Sequence, residues 1–118
     1  AWAREQIARV DRGFGQPDAV SITAHGLRIG DGIRLVGIEG ELVAELGLLI
    51  LDQYPEGVTF PMGYTDGTQL YLPTSAMLDE GGYEVESWYE YHQPAPLAKG
   101  QEAILSDTVH QLKERGID

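Results

Sequence analysis

The clearest alternation in the chain runs through residues 20–38. Val20, Ile22 and Ala24 alternate with Ser21, Thr23 and His25, the period of a half-buried strand. After Gly26 the apolar positions move to Leu27 and Ile29. A slip of one residue exchanges the two faces of a strand, so the pattern predicts a bulge at Gly26. "GDG" at 30–32 reads as a hairpin turn, which makes the first strand pair antiparallel. "IRLVGI" at 33–38 returns as a strand that becomes apolar on both faces, as in the middle of a sheet.

Other segments follow the helical period. Ile7 and Val10 lie three apart, with Trp2 and Ala3 a turn or more before them, which predicts a helix over residues 2–12. Gly13, Gly15 and Pro17 end it. In "GELVAELGLLILD", Glu41, Glu45 and Asp52 share one side of a helical projection and nearly all else is apolar. That predicts a deeply buried helix over 41–53 with a narrow polar stripe. A strand at 46–51 competes, but the length and the stripe favour the helix. "GVTFPM" is a short strand with Pro61 near its end. "TSAMLDEGG" predicts a short helical turn, capped by Thr74 or Ser75 and stopped by Gly81 and Gly82. Residues 83–98 read as irregular. From Gly100 to Gly116, Ile104, Leu105, Val109 and Leu112 mark a final amphipathic helix.

This order predicts an α/β fold, with α+β as the alternative. The expected core is a small mixed sheet with helices packed on it. Its parts are an antiparallel hairpin and a βαβ unit, in which the helix over 41–53 links two parallel strands.

Charge and composition narrow the function classes. The 118 residues form one ordinary domain by length, and an apolar fraction of 42% allows a packed core. The net charge of -11 comes from 19 acidic and 8 basic residues, so a phosphate backbone would be repelled and nucleic-acid binding is not expected. No apolar run approaches the ~20 residues that span a bilayer. The absence of cysteine excludes disulfides, thiolate zinc sites and cysteine nucleophiles. The chain starts on Ala1 rather than Met, which fits a processed product or a piece of something longer.

A few residues could carry chemistry. Glu41 follows a strand flanked by Gly37 and Gly40 and stands at the expected start of a helix. It could be an acid favoured by the helix dipole, or a carboxylate that holds a metal or accepts a proton where strand and helix ends meet. Tyr71 and Tyr83 are placed by breaker-rich segments of "YTDGTQLYLPTSAMLDEGGY", residues 64–83. Each could simply bury a ring and wet a hydroxyl. Among the three histidines, His92 in "YHQP" has the freedom to reach a site, while His25 and His110 read as surface residues. No pair of histidines has zinc-ligand spacing, and HExxH, GxSxG, P-loop and dinucleotide motifs are absent.

"LRIGDGIRLVGIEGELVAELG" followed by "TDGTQLYLPTSAMLDEGGYEVE" resembles the neutral/alkaline non-lysosomal ceramidase family, and its short bacterial relatives most. The likeness covers residues 27 to 85. These enzymes are zinc amidases that cleave the N-acyl bond of ceramide. The resemblance implies that Glu41 in "GEL" and Tyr71 in "LYLPT" are zinc ligands. It implies that Tyr83 in "GGYE" lies near the reacting amide, where a phenol could donate to a developing oxyanion. The family's two histidine ligands come from an earlier part of the polypeptide. The chain is therefore expected to be the carboxyl-terminal part of a larger catalytic domain, completed by its missing amino-terminal part and inactive alone. A lipid amide is the implied substrate. Glu39, Asp66 and Thr68 depart from the family pattern, which has Pro, Asn and Tyr there. The other reading is a non-catalytic binding or structural module that keeps the scaffold and self-associates through the apolar stretch 41–51.

Overall fold

The computed structural model describes all residues from Ala1 to Asp118. It is a mixed α/β structure with one three-stranded and one two-stranded sheet. Helix α1 (Trp2–Asp11) buries none of its residues, and Ile7 and Val10 remain exposed. Strand β1 (Ala24–Arg28) pairs antiparallel with β2 (Ile33–Ile38), as the turn at 30–32 requires.

Two details of this hairpin correct the expectation. The strand begins at Ala24 rather than Val20, although Thr23 still bonds to Glu39 through backbone and side chain. The register runs unbroken from Ala24↔Ile38 to Arg28↔Arg34, so Gly26 is not a bulge. Gly26 answers a packing demand instead: a Cβ there would lie 2.5 Å from the side chain of Ile117, which folds back onto the strand. The shift in apolar positions is real but has another cause. Leu27 and Phe60 lie on the outer face of the sheet, opposite the core, so both faces are apolar.

After β2, Gly40 takes a φ of +114°, a conformation that side-chain-bearing residues avoid. The chain turns there into β3 (Glu41–Leu42), which runs parallel to β5 (Tyr71–Leu72). Only then does α2 (Ala44–Asp52) begin. The expected helix over 41–53 is thus shorter at its start. The N–H of Glu41 bonds to the carbonyl of Leu70 at 2.9 Å and that of Val43 to Leu72 at 3.4 Å, so these amides serve a sheet. The polar stripe keeps Glu45 and Asp52 but loses Glu41. Nor is α2 deeply buried: Leu46 and Ile50 face the core, while Leu48 and Leu51 are exposed.

Strand β4 (Val58–Met62) lies parallel to β2 on the side away from β1, completing the expected β–helix–β unit. Helix α3 (Ser75–Glu80) is capped by Thr74, whose hydroxyl accepts from the N–H of Met77. Ser75 instead binds Glu102 through both its N–H and its hydroxyl. Residues 83–98 are less irregular than expected, with helix α4 (Tyr83–Glu86) followed by a 3-10 turn over Ser87–Tyr89. Helix α5 (Gln101–Glu114) buries Leu105, Val109 and Leu112, whereas Ile104 stays exposed.

The inner face of the large sheet supplies Val36 and Ile38 to the core. Leu46 and Ile50 of α2 and the three buried residues of α5 close over them. Only 15 of 118 residues are buried, so much of the apolar content lies outside this core. The radius of gyration is 16.4 Å, against about 13–14 Å for a compact domain of this length. No helix is long and apolar enough to cross a membrane.

Candidate functional site: one carboxylate among phenols

The pairing of β3 with β5 places Glu41 directly opposite Tyr71. Side chains at paired positions of neighbouring strands project to the same face, so carboxylate and phenol meet. The Tyr71 hydroxyl donates to Glu41 Oε1. The second carboxylate oxygen, Oε2, accepts from the Tyr91 hydroxyl at 3.1 Å. Tyr64 approaches from a turn after β4, held by its own N–H to the Gly40 carbonyl at 2.8 Å. Its phenol acts on the ionisation of Glu41, although only Tyr71 and Tyr91 meet the carboxylate in hydrogen-bond geometry. The Tyr71 ring is braced on two sides. Tyr83 lies edge-on at 5.6 Å between ring centres, and Tyr91 at 6.1 Å.

Electrostatics follow from this arrangement. Burial is the largest single influence on Glu41 and pushes its carboxyl upward. The phenols of Tyr64, Tyr71 and Tyr91 together outweigh burial and hold the group below its ordinary range. The phenols feel the reverse. Donation to the Glu41 anion, then burial, pushes Tyr71 well above the ordinary phenol value. Burial, then the bond to Glu41, pushes Tyr91 up to about 12. Tyr64 is raised mainly by Glu41. At neutral pH the centre is one anion surrounded by protonated phenols.

All three residues singled out in the sequence lie in this one region. Glu41 and Tyr71 share a hydrogen bond, and Tyr83 packs against the Tyr71 ring. The Tyr83 hydroxyl does not point at the carboxylate; it donates to Glu90 Oε2 at 3.0 Å, which raises its pKa. Tyr64 and Tyr91 complete the group and were not singled out. Tyr91 stands in the segment read as irregular, where no periodicity reveals which way a side chain points. Tyr64 opens the quoted stretch, and its place after Gly63 in "MGYTDG" was the one available sign.

No histidine contributes. His92 stacks on Trp2 at 5.8 Å, His25 pairs with Asp66 at 2.7 Å, and His110 lies 3.5 Å from Glu114. No cluster of three or more His, Cys, Asp or Glu side chains forms anywhere in the chain. The departures from the family pattern are also engaged locally: Glu39 accepts from Thr23 and Gln69, and Asp66 holds His25.

No family model matches the chain, and neither a curated protein nor a solved structure matches it.

Proposed function

We propose that this chain supplies part of a zinc-dependent amidohydrolase site that resembles neutral ceramidase and cleaves an N-acyl amide. The observation that carries the reading is the convergence of a Glu41 carboxylate oxygen and the Tyr71 phenol oxygen on one point. Two oxygen donors so placed fit two positions of a zinc site, which takes N and O ligands and about three protein groups. The remaining ligands, histidines in the family, would come from polypeptide outside these 118 residues, because His25, His92 and His110 are all engaged elsewhere. Zinc, when bound, polarises a scissile carbonyl and lowers the pKa of water towards ~7.

The chain's own residues would act as follows. Glu41 and Tyr71 would hold the metal, and the proton that they share would have to leave, so affinity would rise with pH. Tyr91 keeps its bond to the second Glu41 oxygen and fixes the carboxylate's orientation. Tyr83, exposed at the edge of the group, exchanges Glu90 for the amide carbonyl and donates to the developing oxyanion. A lipid amide is the proposed substrate class, and the chain alone is not expected to turn over.

Zinc titration followed by tyrosinate absorbance tests this reading. A weak signal that strengthens between neutral and mildly alkaline pH is expected, and Tyr71→Phe and Glu41→Gln should each remove it. An unchanged signal in both variants, or none at saturating zinc, would overturn the assignment.

One observation favours a second reading. The Glu41 oxygens are satisfied by Tyr71 and Tyr91 without any metal, as in a structural module that keeps the scaffold but not the chemistry. In that case zinc gives no tyrosinate signal, and Tyr71→Phe alters stability alone.

A further inference from the structure

An aliphatic cavity of about 380 Å³ lies on the far side of the β3–β5 pair from the Glu41 group. Val20, Ile22 and Ala24 line it from the approach to β1, Ile104 and Leu105 from α5, and Ile38 and Leu72 from the two sheets. Successive strand residues face opposite sides, so Leu72 turns to the cavity and Tyr71 turns to Glu41. The cavity accounts for the alternation at 20–24. Of those positions only Ala24 belongs to the strand ladder, yet all three apolar side chains meet the cavity and stay partly buried. Ile104 belongs to the apolar series of α5 but is 69% exposed, and it too lines this space.

The wall has a definite chemistry. No lining residue is charged or aromatic, in a chain of net charge -11. One buried polar atom of the wall is left over: Gln101 Nε2 has no partner, while Gln101 Oε1 faces the Ser75 hydroxyl at 3.5 Å. A buried donor without an acceptor is costly.

We propose that this cavity binds a small neutral aliphatic molecule with one acceptor oxygen. Size selects a small molecule: the volume falls within the ~300–1,000 Å³ of such sites. A cube of that volume is about 7 Å on a side, too narrow for a helix of ~10 Å diameter. The wall selects the chemistry. Aliphatic side chains on all sides suit a chain of methylenes, an anionic head would meet no cation, and a small turn of the Gln101 carboxamide would pair its free N–H with the acceptor. No residue of the Glu41 group takes part, so the inference stands or falls separately from the zinc reading.

Octan-1-ol titrated into the whole chain, followed by methyl NMR, tests it. The Ile22, Leu72 and Ile104 methyls should shift saturably, while Leu27 and Leu35 on the outer sheet face stay unmoved. Affinity should rise about fourfold per methylene from hexan-1-ol to octan-1-ol. Octanoate at neutral pH should bind at least about tenfold more weakly. Ile104→Trp, at an exposed position and with unchanged circular dichroism, should fill the cavity and weaken octan-1-ol at least about tenfold. Gln101→Leu should weaken octan-1-ol about fivefold and leave octane unaffected. Shifts centred on the outer sheet face, octanoate binding as tightly as the alcohol, or indifference to Ile104→Trp would each overturn the inference. So would a dimer in sedimentation that Ile104→Trp dissolves, because a second copy would then fill the cavity.

Discussion

Glu41 and Arg34 are two charges withdrawn from water in the same small fold, and they are handled in opposite ways. Arg34 is 4% exposed and has no carboxylate partner. Its guanidinium donates to the Glu56 carbonyl and the Thr59 hydroxyl, both at 2.9 Å, and lies 4.7 Å from the centre of the Tyr54 ring. Lys113 also lies over that ring, at 5.0 Å. Arg34 Nε and the Tyr54 hydroxyl have no partner. This charge is fixed by packing against the Tyr54 ring and by two neutral acceptors. Glu41 is only partly buried, and its partners are phenols that donate to its two oxygens. The first arrangement holds a fold together. The second is the arrangement proposed above as a site.

The largest expected effect lies at the structural charge. Arg34→Ala should lower stability in urea unfolding by about 3 kcal/mol, since it opens the packing and strands a carbonyl and a hydroxyl. Arg34→Met should cost about 1 kcal/mol, because an apolar chain of similar length needs no counter-charge. Equal losses would show that the charge itself, rather than the packing, is what matters there.

Tyr71→Phe should lower the urea midpoint by less than Arg34→Ala does, through the loss of one hydrogen bond to a charged acceptor. Unlike either Arg34 variant, it should also remove any zinc response. The contrast sharpens with pH. The Tyr91 phenol is raised from 10.0 to about 12 in the fold, so its contribution is complete below pH 10 and fades as pH climbs to about 12. Glu41 is lowered from 4.5, so its contribution is present above pH 4.5 and fades as pH falls through the lowered value. Stability measured across pH should therefore fall at both extremes, and Tyr91→Phe should flatten the alkaline limb. The smallest effect belongs to Tyr83→Phe: the loss of an exposed hydroxyl bound to Glu90 should leave the urea midpoint nearly unchanged.

The same contrast shows what could be read from residue order. The apolar run at 33–38 and the helical spacing of Leu105, Val109 and Leu112 reflect the core directly, and those elements stand where the pattern put them. The mixed sheet with its parallel β2–β4 pair followed from the same signals. The start of α2 did not, because the β3–β5 pairing joins residues 41 and 71 and so lies beyond any local window. Propensity favoured carrying the helix back to Glu41, and a long-range ladder took those amides instead. Gly26 was misread for a related reason: its neighbour is Ile117, at the far end of the chain. Glu41, Tyr71 and Tyr83 stand out by their places among turn residues, the resemblance assigns their roles, and the geometry adds Tyr64 and Tyr91.

Crystals soaked in zinc and measured for anomalous scattering would test the central claim most directly. The account predicts a peak between the Glu41 carboxylate and the Tyr71 phenol oxygen, absent in Tyr71→Phe crystals. Zinc bound only at the surface pairs His25–Asp66 or His110–Glu114, with the Glu41–Tyr71 hydrogen bond undisturbed, would contradict it.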